Sequence, residues 1–119
     1  MLQIMSYRLH AVYDYLLSVF TVLMPWIFGF AGNPMAKWVT ITFGIVYFLD
    51  TFFTGHRLSP FRFLHMYEHL GIDGTWGVLM AMAPWFFGFN LVVFWAHLII
   101  GLCVPIVCLM TRIPVTEAD

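Results

Sequence analysis

Two pairs of like composition, His10 with Asp14 and His69 with Asp73, are the residues of this chain whose types and spacing best suit chemistry. An interval of four sets the members of each pair on one face of a helix. His65 stands one turn before His69, with Glu68 beside it. If the two segments face each other, imidazole and carboxylate groups converge into a donor set that could hold Zn²⁺ or a two-metal centre. The metal reading therefore names His10, Asp14, His69 and Asp73. A plainer reading competes with it: carboxylates near helix N-termini, favoured by the helix dipole, and imidazoles at the level of lipid headgroups.

His97 is a separate case, because it falls inside an apolar stretch beside Trp95, Leu98 and Ile99. An imidazole at membrane depth requires a partner. Thr40 and Thr42 are candidates for a structural hydrogen bond; the alternative is axial ligation of a haem or chlorin. Trp26 and Trp85, each following a proline, could flank a ring-shaped lipid, a quinone or a pigment. Asp50, with Tyr47, faces either a polar interior or the headgroups. Cys103 and Cys108 lie within one apolar run and read as small packing residues rather than a disulfide or metal pair. No phosphate loop, nucleophile elbow, His-Glu-x-x-His or Cys-x-x-Cys motif occurs, so hydrolytic and nucleotide chemistry are disfavoured and no enzymatic activity is expected. No catalytic residue is named and no cofactor is required, although lipid, quinone or haem could be taken up.

The elements that must position these residues come from a duplication. Met24-Pro25-Trp26-Ile27-Phe28-Gly29-Phe30 returns as Ala83-Pro84-Trp85-Phe86-Phe87-Gly88-Phe89, at an offset of 84 − 25 = 59 residues. The same offset carries His10 onto His69, Asp14 onto Asp73 and Val19 onto Val78. Downstream, Trp38 falls on Trp95 and Gly44 on Gly101, an offset of 95 − 38 = 57. Matching residues on both sides of a two-residue gap mark a repeated unit rather than chance composition.

Each repeat predicts two spanning helices: about 10–30 and 35–53 in the first, 73–89 and 91–110 in the second. All approach the roughly 20 residues that cross about 30 Å of hydrocarbon. The first hairpin turns at Ala31-Gly32-Asn33-Pro34, and the second turns tightly around Gly88-Phe89-Asn90. Between them, Pro60–Leu70 reads as an amphipathic helix on the membrane surface. The expected division is 1–55 for the first hairpin, 56–72 for a cytoplasmic connection, and 73–119 for the second hairpin and a short tail. The fold expected is all-α, a polytopic membrane protein with four transmembrane helices in two parallel hairpin repeats.

At Pro25-Trp26 and Pro84-Trp85, with the Gly-Phe pairs after them and Trp38…Gly44 and Trp95…Gly101 on the return helices, the chain resembles the SPW-repeat family. These are small bacterial membrane proteins named for a Ser-Pro-Trp motif in the first of two helices per repeat. Met24 and Ala83 stand where the motif has serine. The resemblance implies the fold and brings no established activity, so it transfers no catalytic residue.

Bulk composition agrees with lipid as the solvent. The chain of 119 residues is 62% hydrophobic and 9% charged, against roughly 25% charged residues in soluble domains. A net charge of −1 argues against nucleic acid, since little here could neutralise a row of phosphates. The first apolar run lacks an Ala-x-Ala exit, and it is expected to be retained rather than cleaved as a signal peptide. Arg8, Arg57, Arg62 and Arg112 fall on one side and Lys37 on the other, which places both termini in the cytoplasm of a bacterial inner membrane. Small residues on the third and fourth helices (Gly77, Ala81, Ala83, Gly101, Cys103, Cys108) suggest faces for close packing. The role expected is structural or accessory, with the chain packing laterally in a homo-oligomer or as a subunit of a larger membrane assembly. The alternative is a redox or transport protein binding haem, quinone, pigment or a metal ion.

Overall fold

The computed structural model describes residues 7–53 and 66–110, with side chains described from Leu9 and from Leu70 onward in the two segments. Four helices account for most of them: α1 (Tyr7–Ile27), α2 (Pro34–Phe52), α3 (Met66–Phe86) and α4 (Trp95–Met110). At 1.5 Å per residue they span about 24–32 Å, close to the hydrocarbon thickness of a bilayer. Taken singly, one helix among the described residues, over Leu9–Ile27, is long and apolar enough to cross a membrane, while Trp95–Met110 is apolar but shorter. α1 pairs with α2 and α3 with α4, giving two hairpins that meet mainly through α2 and α3.

The repeated signature is a helix-stop device. In α1, the Phe28 amide donates to the Met24 carbonyl at 2.9 Å and the Phe30 amide to the Pro25 carbonyl at 2.8 Å. Gly29 between them has φ +77°. This six-to-one closure with a left-handed glycine is a Schellman cap. The second copy repeats it: Phe87 to Ala83 at 2.9 Å, Phe89 to Pro84 at 2.8 Å, with Gly88 at φ +76°. The phenylalanine that follows each glycine turns back into the core, so Phe30 and Phe89 are only 4% and 2% exposed. A short motif thereby ends two helices and plants an aromatic ring beneath each end.

Within each hairpin the helices touch through glycine. A Cβ built on Gly44 would lie 2.6 Å from Val22 Cγ2 and 2.9 Å from the Val22 nitrogen. On Gly101 it would lie 2.5 Å from both the Ala81 nitrogen and the Gly77 carbonyl oxygen. Val22 and Ala81 are repeat equivalents (81 − 22 = 59), so both hairpins use one crossing. Backbone contact of this kind is how helices associate where lipid removes the hydrophobic drive.

Three expectations need correction. The third helix begins at Met66 rather than Asp73, so Met66–Leu70 opens a long helix instead of ending a separate surface helix. Gly71 and Gly74 do not break it, since burial of Asp73 and Trp76 outweighs about 1 kcal/mol of propensity loss at each glycine. The return helix of the second hairpin begins at Trp95, so its connection is longer than a tight turn. In the first hairpin, the Asn33 side chain accepts from the Ala36 amide at 3.0 Å and Pro34 starts the helix. The second keeps the asparagine at the matching place (Asn90, 33 + 57) but has Leu91 where the first has the helix-starting proline. Its chain instead turns through Val92 and Val93 amides donating to the Phe89 carbonyl, at 2.9 and 3.1 Å. Finally, Gly77, Ala81, Ala83 and Gly101 are buried inside the bundle and offer no outward packing face. Cys103 is exposed and Cys108 half-buried.

Candidate functional site: two polar layers on the repeat axis

Both hairpin tips lie at one end of the molecule. Phe28, just beyond α1, packs edge-on against Trp95 at 5.0 Å. Phe30 and Phe89 lie against the same ring, that of His97, at centroid distances of 5.6 and 5.2 Å. A common side for both tips is what parallel repeats require, and it places residues related by the duplication next to each other on the axis between them.

The layer nearer the tips is built on His97, which is fully buried. Thr40 Oγ donates to the Ala36 carbonyl at 2.7 Å. Its single proton being used there, the hydroxyl accepts from His97 Nε2, also at 2.7 Å. That fixes the tautomer with the proton on Nε2, and Nδ1 has no hydrogen-bond partner among the described residues. Thr40 and His97 are repeat equivalents (97 − 40 = 57). Of the two threonines considered, Thr40 is the partner; Thr42 is exposed. Axial ligation of a haem by His97 would require displacing the enclosing Phe30 or Phe89 ring or the Thr40 bond.

The second layer lies toward the opposite end. His10 Nε2 stands 3.0 Å from Asp14 Oδ2 and 3.2 Å from Asp73 Oδ2, with all three side chains fully buried. Asp14 and Asp73 are themselves repeat equivalents, so one imidazole bridges the two copies of one carboxylate. The Tyr47 hydroxyl, from α2, donates to Asp14 Oδ1. Trp76 covers Tyr47 at 4.3 Å and donates through Nε1 to the Phe43 carbonyl at 2.9 Å. Cys108 Sγ, a His10 ring nitrogen and an Asp73 oxygen lie within 4.8 Å of one another. Tyr13 packs its ring 6.2 Å from His10.

Of the metal-site residues expected from sequence, the fold thus brings His10, Asp14 and Asp73 together, pointing inward. For His69 only the backbone within α3 is described, and His65 lies outside the described residues. Asp50 is 9% exposed, one turn beyond Tyr47. The sequence suggests packing alone for Cys108; its approach to His10 crosses from α4 to α1, and no spacing within one helix signals it. Tyr47 and Asp50 are both polar near one helix end, yet the Tyr47 hydroxyl reaches across to Asp14.

Trp26 and Trp85 face outward, 55% and 51% exposed, as do Trp38 and Trp95. Lys37 Nζ lies 5.8 Å from the Trp26 ring centroid and 4.8 Å from that of Trp38. This cation–π pairing suits the polar boundary of a membrane. Near the end of α3 the surface is grooved: a hollow of about 220 Å³ lies among Phe43, Leu79, Met82, Phe86 and Phe87, and Trp85 does not line it.

No curated protein and no solved structure matches the chain significantly. The model of the SPW repeat domain does match, over residues 8–111, which takes in both Pro-Trp caps and all but the first residue of the four-helix bundle. By this match and by its paired hairpins, the chain belongs to the SPW repeat family of membrane proteins.

Proposed function

We propose that this SPW repeat protein is a non-enzymatic, structural or accessory component of the bacterial inner membrane. It works through its sides, as a subunit of a larger assembly or as a homo-oligomer, with both termini in the cytoplasm. The observation that carries this reading is the direction in which the side chains point. His10, Asp14, Ser18, Thr21, Thr40, Thr51, Asp73 and His97 are buried, while Leu16, Phe86 and Leu91 are 68%, 79% and 96% exposed. The interior polar layers fasten the hairpins into one body, and an apolar belt is what that body presents to neighbours. The orientation rests on the four arginines set against Lys37.

A photo-crosslinking amino acid placed at Phe86 or Leu91 in the native membrane tests the proposal. Discrete protein adducts are expected there and not from the same probe at buried Met80. Adducts to lipid alone would refute it.

A second reading is favoured by one observation: His10, Asp14 and Asp73 turn inward rather than toward headgroups. Intramembrane ionisable groups that converge inside a bundle commonly handle cations. On this reading the lower layer is a cation-binding centre as well as a fastener.

A further inference from the structure

We propose that His10, Asp14, Asp73 and Cys108 form a site for a divalent transition-metal ion of the Zn²⁺ type, held inside the bundle between α1, α3 and α4. This rests on the second reading above, that the lower polar layer binds a cation, and it names the class of cation.

The spacing of the donor atoms is the first support. Around a tetrahedral ion with bonds of about 2.0–2.1 Å to nitrogen and oxygen, neighbouring donors stand about 3.3 Å apart. His10 Nε2 is already 3.0 Å from Asp14 Oδ2 and 3.2 Å from Asp73 Oδ2. Cys108 Sγ lies within 4.8 Å of a His10 ring nitrogen and of an Asp73 oxygen, and Asp14 joins this cluster through its contact with His10. A metal–sulfur bond is longer, about 2.3 Å, so the sulfur is the donor that stands furthest from its bonded position.

The donor types then select the ion. Magnesium and calcium take oxygen, whereas imidazole with thiol and carboxylate suits zinc and its first-row neighbours. Charge favours a divalent over a monovalent ion: with Cys108 bound as its thiolate the ligands bring three negative charges, and a divalent ion leaves −1 where a monovalent one would leave −2. When the ion enters, it takes the His10 Nε2 lone pair, both carboxylates and the Cys108 sulfur as thiolate; the proton held between His10 and the carboxylates and the thiol proton of Cys108 both leave to solvent. Tyr47, donating to Asp14 Oδ1, is a positioning residue that aims the other oxygen of that carboxylate inward.

The test uses the full chain, purified in detergent, stripped with chelator and titrated with Zn²⁺ or with Co²⁺ as its coloured substitute. Bound metal is counted after desalting, and the thermal transition is recorded. One ion per chain is expected, with a raised melting temperature and a tetrahedral Co²⁺ spectrum. Cys108→Ser, a mild change, should remove the sulfur-to-cobalt band while the protein stays folded. Tyr47→Phe should weaken affinity about 10- to 100-fold, and Asp73→Asn should abolish retention. If the wild-type chain retains neither metal, the inference is overturned; if the sulfur band survives Cys108→Ser, Cys108 leaves the site and the four-ligand proposal fails. A melting temperature that responds to Na⁺ or to pH but not to Zn²⁺ or Co²⁺ overturns the metal and leaves the cation-binding reading standing. Insensitivity to all of them removes both.

Discussion

Replacing Gly101 by alanine perturbs the seam between α3 and α4 where backbone meets backbone. The added Cβ would fall 2.5 Å from the Ala81 nitrogen and from the Gly77 carbonyl oxygen, and ordinary contact begins near 3.4 Å. The obstacle is main chain, which no rotamer change can clear, so the helices must part by about 0.9 Å (3.4 − 2.5). A gap of that order forfeits about a quarter to a half of the dispersion attraction across the seam. Overpacking of this kind destabilises by about 1–3 kcal/mol. The duplication supplies its own control. At Gly44, the equivalent position, the nearest obstacle is a methyl group, Val22 Cγ2 at 2.6 Å, with backbone further off at 2.9 Å. Gly44→Ala should therefore be the milder change, by about 1 kcal/mol within that range. Reversible unfolding in mixed micelles, followed by tryptophan fluorescence, measures both variants against the parent. A Gly101→Ala protein as stable as the parent, or less damaged than Gly44→Ala, would refute the account of the seam.

Gly88→Ala asks a left-handed turn of a residue with a Cβ, at φ +76°, and should lower stability by about 1–2 kcal/mol. Gly29→Ala, at the first cap, should do the same, and thermal unfolding of the two variants checks that the caps are equivalent. Thr40→Val leaves the His97 Nε2 proton without an acceptor. By the standard of interhelical bonds in membranes, the loss should be about 0.6–1.7 kcal/mol. A double-mutant cycle with His97→Leu isolates it, and a coupling energy near zero would show that the pair does not bind the hairpins together.

The duplication, the first turn and the common side of the tips are legible because they depend on residues close in sequence. Pro25, Gly29 and their copies act within one helical turn, and Asn33-Pro34 announces the second helix directly. The start of α3 was less legible. Gly71 and Gly74 look like punctuation until Asp73 and Trp76 are seen to be buried, and burial is a property of the whole bundle. His10, Asp14 and Asp73 could be nominated from spacing and symmetry. Their convergence, and the arrival of Tyr47 and Cys108 from two other helices, depends on helix rotation, which residue spacing alone does not set. The small residues of α3 and α4 were recognised as a packing code but assigned to an outside neighbour, because such a code does not say which helix it addresses.

The Thr40–His97 bond has a bearing on why two hairpins are joined in one polypeptide. Two separate identical hairpins meeting about a dyad would place threonine against threonine or imidazole against imidazole. A hydroxyl facing an imidazole, each filling the other's need, is open only to halves that are free to differ. Covalent linkage supplies that freedom: it keeps near-symmetric backbones in register while the residues on their shared centre line become complementary instead of identical.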